Sequence, residues 1–410
     1  MQSYDVIVVG GSIGGSALAA NLAQAGLSVE ILEREETFVD RVRGEWMAPW
    51  GVHEAELLGI YDLLMAAGGH HVTRSVMYDE LLTPDMAEVG VQHLADLIPR
   101  TPGPLCMEHV VMQNVLLRHA EACGAAIRRG ITDLELNAGT EPRVRFVHNG
   151  VHYSHACRIA IGADGRSSSV RRQLNIPLVE SEIDHLISGL LVTGADEWPA
   201  DLQAFGKAGD VMLLVFPQGQ GKIRLYVDYG IEQRGRYTGE EGARNLLSAY
   251  NVEHLPGGRS LSIASPCGPC RAYPSQYASV DKPYVEGAVL IGDAAGYTDP
   301  ISGQGLSVTL RDARMVRDTL RSNKDWTADI FNEYGLVRGE LTRRISHITR
   351  FTAELFTRTD ANAQTGRARA VQRLTERPEL GALVAATYIG AEKLPSEAFT
   401  DEFRHALFAP

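Results

Sequence analysis

The stretch Val6-Ile7-Val8-Val9-Gly10-Gly11-Ser12-Ile13-Gly14-Gly15 decides the fold. An unbroken apolar run suits a strand buried on both faces, as in a parallel sheet. The glycines that follow allow a sharp turn into a helix carried by Leu18, Leu22 and Ala25. Gly26 caps that helix, and Ser28-Val29-Glu30-Ile31-Leu32 reads as the next strand, so the segment is a βαβ unit. The turn matches G-x-G-x-x-G at its first and third glycines and has Ser12 at the second. Glu33 stands 18 residues beyond Gly15, where a carboxylate can accept the ribose hydroxyls of an adenosine. A helix N-terminus formed by Ser12, Ile13, Gly14 and Gly15 offers free N–H groups and a dipole to a pyrophosphate. A turn serving only strand-to-helix packing is the plainer alternative, and the acid at this distance favours a dinucleotide.

Outward from this unit, a helix is expected over Gln113 to Cys123, closed by Gly124. Asn149-Gly150 supplies the positive-φ pair of a hairpin between Val144–Val147 and Val151–Tyr153. That hairpin leads to Gly162-Ala163-Asp164-Gly165. Residues 177 to 273 read as strands joined by Gly and Pro turns, and 45 to 70 as helical. Val289-Leu290-Ile291 runs into Gly292-Asp293, then Asp299-Pro300 and Gly303-Gln304-Gly305, followed by a helix on Leu306, Leu310, Ala313, Val316 and Leu320 and further helices to the end. A second glycine-rich helix N-terminus with an acid suits the ribityl chain and second phosphate of a long cofactor. The expected architecture is α/β. A discontinuous Rossmann-like domain (1–72, 106–176, 274–350) carries an inserted antiparallel substrate domain (73–105, 177–273) and a C-terminal helical segment (351–410).

The 410 residues are 44% hydrophobic and carry a net charge of −12, spread along the chain without blocks. No basic patch invites nucleic acid. No signal-like n-region and no apolar run of about 20 residues is present, so a cytoplasmic protein without a membrane span is expected, as monomer or homodimer. The five cysteines form no disulfide framework. Cys267-Gly268-Pro269-Cys270 has the letters of a redox tetrapeptide. Pro266 and Pro274 deny it the helix N-terminus that would activate a thiol. His148, His152 and His155 lie on a hairpin, with His152 and His155 on opposite faces, so no metal is expected.

Three motifs in this order resemble those of FAD-dependent monooxygenases of the para-hydroxybenzoate hydroxylase type: Gly10 to Gly15 with Glu33, Asp164-Gly165, and Gly292-Asp293 with Gly303-Gln304-Gly305. The resemblance implies FAD, with Glu33 on the adenosine ribose, Asp164 serving FAD and nicotinamide, and Asp293 on the ribityl chain. Arg41-Val42-Arg43-Gly44 resembles the arginine-bearing loop beside the pyrophosphate, with Arg34 in the same cofactor set, and Gln113 opens the helix that in this family normally sends a polar side chain to the flavin. Ser12, and Gly296-Tyr297 in place of a histidine, depart from the pattern. NADPH or NADH and O2 are the implied co-substrates. A C4a-hydroperoxyflavin would hydroxylate an electron-rich phenolic or heteroaromatic molecule.

On the middle strand, alternation puts Arg224, Tyr226 and Asp228 on one face, either lining a pocket or facing solvent. Tyr226, Arg224 and Pro300 are the candidate catalytic residues, Tyr226 to orient a phenol. Trp46 and Tyr297 are pocket wall or ordinary core. A halogenase of related fold expects a Trp-x-Trp-x-Ile-Pro motif that the tryptophans at 46, 50, 198 and 326 do not form. A reductase of isoprenoid double bonds and a non-catalytic FAD-binding protein are the other readings.

Overall fold

The computed structural model describes residues 2–42 and 44–410, with the backbone alone for Pro378 and Glu379. Strand Ser3–Val9 passes through Gly10 into helix Ile13–Gln24 and on to strand Val29–Glu33. Val6 lies opposite Val29 and Val9 opposite Leu32 in parallel register. On its other side the first strand pairs Val8 with Ile161, also parallel. The sheet order is Tyr284–Val285, Ala288–Leu290, Val151–Gly162, Ser3–Val9, Val29–Glu33, Ala126–Arg129. Chain connections diverge to either side of Ser3–Val9, so the crevice past its carboxyl end, where Gly10 sits, is the place for a ligand. Both sheet faces are buried: Val6, Val8, Ile31 and Ile161 pack under Leu18, Leu116 and Leu310, while Ile7, Val9, Leu32 and Ala160 meet Phe146 and Val170.

Glycine is required in this turn. A Cβ on Gly15 would stand 2.0 Å from the Gly10 carbonyl oxygen, and one on Gly10 would meet the Ala163 carbonyl oxygen at 2.3 Å. The Arg143–His148 and Val151–Gly162 hairpin turns through Asn149 (φ 51°) and Gly150 (φ 74°).

The middle sheet places His185–Thr193, Lys222–Gly230, Val211–Gly219, Leu202–Ala208 and Arg74–Met77 side by side. Along Lys222–Gly230 every residue after Lys222 is buried, which removes the solvent-facing alternative. Ile223, Leu225 and Val227 pack with Leu246 and Tyr250 on one side. Tyr226 packs with Met212, Leu214 and the C-terminal helices on the other. Those helices are Asn332–Phe356, Ala361–Glu376, Ala382–Ile389 and Asp401–Phe408.

Two local expectations are corrected, and a further short helix lies within 73–105. The helix read from Gln113 spans His109–Ala122; Val110 and Val111, weak helix formers, hide its first turn in the sequence. Helix Gly239–Ala249 interrupts the strand-like stretch, with Glu240 and Glu241 in its first turn favoured by the helix dipole. A short helix, Pro84–Val89, is capped by Thr83, whose hydroxyl accepts the Met86 N–H at 3.3 Å.

Candidate functional site

A cavity of about 960 Å³ runs from the glycine turn to the C-terminal helices. At one end its wall is Ser12, Ile13, Gly14, Gly15, Asp293 and Gly305. Helices Ile13–Gln24 and Gly305–Ser322 both begin there. Ser16 N–H is bonded to the Ser12 carbonyl at 2.9 Å and Val308 N–H to the Gln304 carbonyl at 3.0 Å. The amides ahead of those bonds have no intrahelical acceptor. Two helix dipoles therefore present their positive ends to the cavity.

Around this end, Glu33 is buried and its carboxylate accepts the Gly11 N–H at 2.7 Å and the Glu35 N–H at 2.8 Å. Further lone-pair directions remain on its two oxygens. The Gln113 amide donates to the Ser12 hydroxyl at 3.0 Å, tying helix His109–Ala122 to the glycine turn. Arg34 points outward, 64% exposed and paired with Glu35 at 3.2 Å, while Arg41 meets the same Glu35 at 2.7 Å. Arg43 lies outside the described residues.

Asp164 does not line the cavity. Its carboxylate accepts the N–H groups of Ser169 at 2.6 Å and Val170 at 3.1 Å, capping helix Ser169–Gln173. Its neighbours Gly165 and Arg166 do line the cavity. Arg166 stands 3.6 Å from Asp293 and lies over the Tyr297 ring at 4.3 Å. Tyr297 is off the cavity wall, its hydroxyl bonded to Glu180, whose carboxylate helps to raise the phenol pKa to about 12 once burial has pushed it up. Gln304 is buried as well. Its side-chain oxygen accepts the Trp50 indole N–H at 2.8 Å, and its amide donates to the Ser302 carbonyl at 2.7 Å. That side chain joins two parts of the fold, while its neighbours Gly303 and Gly305 face the cavity. Gly303 has φ 67°, and a Cβ there would meet the Trp46 ring at 2.8 Å.

Beyond Pro300 and Ile301 the lining becomes apolar, with Ile187, Met212, Leu214 and Phe216 from the middle sheet and Phe351, Leu355 and Val371 from the C-terminal helices. Tyr226 lines this end and donates its hydroxyl to Glu45 Oε2 at 3.1 Å. Burial, then Glu45, holds its phenol well above the ordinary tyrosine range. Arg224 stands behind them, fully buried and off the wall, with Nη2 on Glu45 at 2.7 Å and on Asp40 at 3.1 Å. Burial opposes its charge, but Tyr226, Glu45 and Asp40 outweigh that and raise its pKa above the ordinary arginine value. Asp228, the third residue of the polar strand face, also misses the cavity and instead sits 4.0 Å from His185 Nε2.

Residues 3–323 match the family model described as the FAD binding domain. The chain belongs to this family. Mouse (Mus musculus) squalene monooxygenase is 26% identical over 346 residues, which cover 78% of this chain and 55% of that protein. The chain spans between half and three-fifths of the length of the squalene monooxygenases it matches. A digeranylgeranylglycerophospholipid reductase from Methanosarcina acetivorans is 26% identical over 311 residues, 74% of this chain and 71% of that protein. Among solved structures, p-nitrophenol 4-monooxygenase PnpA from Pseudomonas putida DLL-E4 has the same fold, with TM-score 0.78 and 17% identity over 95% of this chain and 99% of its own.

The FAD-binding residues present suit an FAD. The glycine cradle admits no Cβ at Gly10 or Gly15, two helix N-termini converge on one elongated cavity, and Asp293 stands at its side, 35% exposed. Sequence reading passed over Glu45 and the C-terminal helices. Glu45 follows the Arg41–Gly44 loop without a motif of its own, and Phe351, Leu355 and Val371 read as ordinary helix core. Cys267 and Cys270 are free thiols on an irregular segment. Burial raises both above the ordinary value, Cys270 to about 11, the opposite of what an attacking thiolate needs. Among the described residues no group of three His, Cys, Asp or Glu side chains could hold a metal, and no helix is long and apolar enough to cross a membrane.

Proposed function

We propose that this FAD-binding chain is a monooxygenase that consumes NAD(P)H and O2 and hydroxylates an electron-rich aromatic or related small molecule. The observation that carries the reading is the single cavity: the cofactor cradle opens, past Pro300, directly into an apolar chamber. A flavin held at one end and a substrate at the other would share one water-poor space, as oxygen transfer requires. Bound FAD, once reduced by NAD(P)H, supplies the O2 activation and oxygen transfer. One oxygen atom of O2 enters the product as a hydroxyl and the other leaves as water, with NAD(P)H giving the two electrons and one hydrogen of that water and a proton giving the other.

The chain's own residues bind, orient and exclude water. The amides of Ile13, Gly14 and Gly15 hold the pyrophosphate, Glu33 the adenosine ribose, and Asp293 the ribityl chain. Gln113 acts through Ser12, and Arg43 is assigned to the pyrophosphate by resemblance alone. Asp164 and Gln304 shape the turns that present Gly165, Arg166, Gly303 and Gly305. Pro300 is wall between cofactor and substrate, and Tyr226 orients the substrate.

The test is NADPH- and NADH-driven oxygen consumption over a panel of phenols, heteroaromatics and polyketides, with 18O2 and mass analysis of product. Label in a product hydroxyl supports the reading. The archaeal reductase relative favours double-bond reduction as the second reading, and substrate reduction without oxygen uptake would establish it instead. Bound flavin with no NAD(P)H oxidation on any substrate would leave a non-catalytic FAD-binding protein.

A further inference from the structure

The charges around the apolar chamber limit what can enter it. Among the described residues the lining holds two carboxylates, Glu45 and Asp293, and one guanidinium, Arg166. Arg166 belongs to the cofactor end, beside Asp293 and stacked on Tyr297. The second guanidinium near the chamber, Arg224, is the group an anionic substrate would seek, because a buried arginine can grip a carboxylate in two places. It is already held. Glu45 approaches its Nε at 2.5 Å and accepts from Nη2 at 2.7 Å, and Asp40 accepts from the same Nη2 at 3.1 Å. Nε, although 2.5 Å from Glu45, and Nη1 make no hydrogen bond among the described residues, yet Arg224 does not reach the cavity wall; Glu45 and Tyr226 stand there instead. Burial pushes the Glu45 carboxyl up while Arg224 opposes the rise; with Glu45 and Asp40 ionised, two carboxylates against one guanidinium leave a net charge of −1 on this set.

The polar contacts left to a ligand here are acceptors. Tyr226 has spent its proton on Glu45, so its oxygen, like the Glu45 carboxylate, can take a hydrogen bond but offers none. The neighbouring amide is also satisfied. Gln203 accepts the Trp46 indole N–H at 2.8 Å and donates to the Tyr388 hydroxyl at 3.0 Å and to Ser75 at 3.1 Å. Gln218 donates to the Phe216 carbonyl at 3.3 Å and keeps an Oε1 that is unpartnered among the described residues, a further acceptor, while Thr352 and Thr375 donate to the carbonyls of their own helices at 2.9 and 3.0 Å. Hydrocarbon makes up much of the rest and continues outward: Met86 and Val89 line the cavity on the short Pro84–Val89 helix and are 56% and 90% exposed.

We infer that the chamber takes a neutral, hydrocarbon-rich molecule carrying a hydroxyl or N–H donor, and that Glu45 and Asp40 exclude carboxylates by holding Arg224. This rests on the apolar end being the substrate chamber of the proposed monooxygenase. A carboxylate entering would lose its hydration beside Glu45 and gain no free cation among the described residues. A neutral donor gains a bond to Tyr226 or Glu45.

Binding to the oxidised FAD holoprotein tests this without turnover. The probes are 2-naphthalenemethanol, 2-methylnaphthalene and 2-naphthoate, matched in ring and differing in donor and charge, titrated against the flavin absorbance. The alcohol should bind severalfold tighter than the hydrocarbon and at least tenfold tighter than the carboxylate. Glu45→Gln should narrow the alcohol-to-carboxylate gap at least fivefold. Asp40→Asn removes a negative charge without touching the cavity wall, keeps the oxygen that accepts the Val42 N–H, and should narrow the gap in the same direction if Glu45→Gln does not fold. Naphthoate binding as tightly as the alcohol in the parent protein, failure of the alcohol to bind, or no change of the gap in either variant would overturn the inference. The binding order intact with no labelled hydroxylated product from any substrate would count against the monooxygenase reading alone.

Discussion

His185 Nε2 lies 3.3 Å from the carboxylate of Asp299, the residue that precedes Pro300. Asp299 in turn accepts the Ile301 N–H at 3.0 Å and so fixes the turn that faces the cavity. Asp184 and Asp228 also approach the imidazole, at 2.5 and 4.0 Å. Burial by itself would lower the His185 pKa, but Asp228, Asp184 and Asp299 override it and lift it to about 11. Burial pushes the Asp228 carboxyl up to about 8 while His185 opposes the rise.

The sign of the resulting pH dependence follows. A histidine with a folded pKa near 11 and an ordinary value of 6.5 binds more proton folded than unfolded between those limits. Its stabilisation is complete below 6.5 and is lost as pH climbs through the folded value. The urea midpoint of the holoprotein should therefore fall from about pH 8 to about pH 10, and His185→Gln should flatten that slope. A parent midpoint that holds level over this range would contradict the charged His185 cluster.

Tyr226→Phe keeps the ring and deletes the hydroxyl that meets Glu45. FAD retention should be unchanged, because Tyr226 lies at the apolar end. A substrate held less accurately reacts less often before reducing equivalents leak away, so the ratio of hydroxylated product to hydrogen peroxide should fall severalfold while NAD(P)H oxidation continues. Quantifying both products on any accepted substrate gives the answer, and an unchanged ratio would leave Trp46, also on the wall, as the next candidate.

Asp293→Ala should weaken FAD retention by about tenfold to a hundredfold, the cost of a lost buried hydrogen bond of about 1–3 kcal/mol. Cys267→Ser, at an exposed turn away from the cavity lining, should leave retention and turnover as they are. Equilibrium dialysis of the flavin compares the two. Loss of turnover in Cys267→Ser alone would restore a dithiol role.

Gln304→Leu should behave differently from either. It strands the Trp50 indole N–H and releases the Ser302 carbonyl, so thermal stability should drop by about 1–3 kcal/mol. The amides at the start of Gly305–Ser322 survive, and the FAD dissociation constant measured well below the melting point should move less than in Asp293→Ala.

The cofactor half was legible because its constraints act on the backbone. Gly10 and Gly15 must lack a Cβ wherever this turn is built, and Glu33 must end the second strand, so letters and spacing carry the geometry. Gln304 shows the limit of that legibility: the glycines beside it face the cavity, but the direction of its own side chain depends on Trp50, 254 positions earlier. Alternation on the Lys222–Gly230 strand put Arg224, Tyr226 and Asp228 on one face. It could not say that Glu45 would stand in front of Arg224 or that His185 would draw Asp228 aside, since both partners come from distant strands and loops. Phe351, Leu355 and Val371 have helical spacing whether they meet a neighbour or a ligand, so the far wall of the chamber was invisible until the chain was folded.

The family match ends at residue 323, whereas Phe351, Leu355, Val371 and Tyr388 reach the cavity from beyond it. The C-terminal helices thus complete, from outside the matched residues, a chamber whose opposite wall of Ile187, Met212, Leu214 and Phe216 lies within them. Substitution of Phe351, Leu355 or Val371 should therefore reshape the chamber while the glycine turn, Glu33 and Asp293 stay as they are.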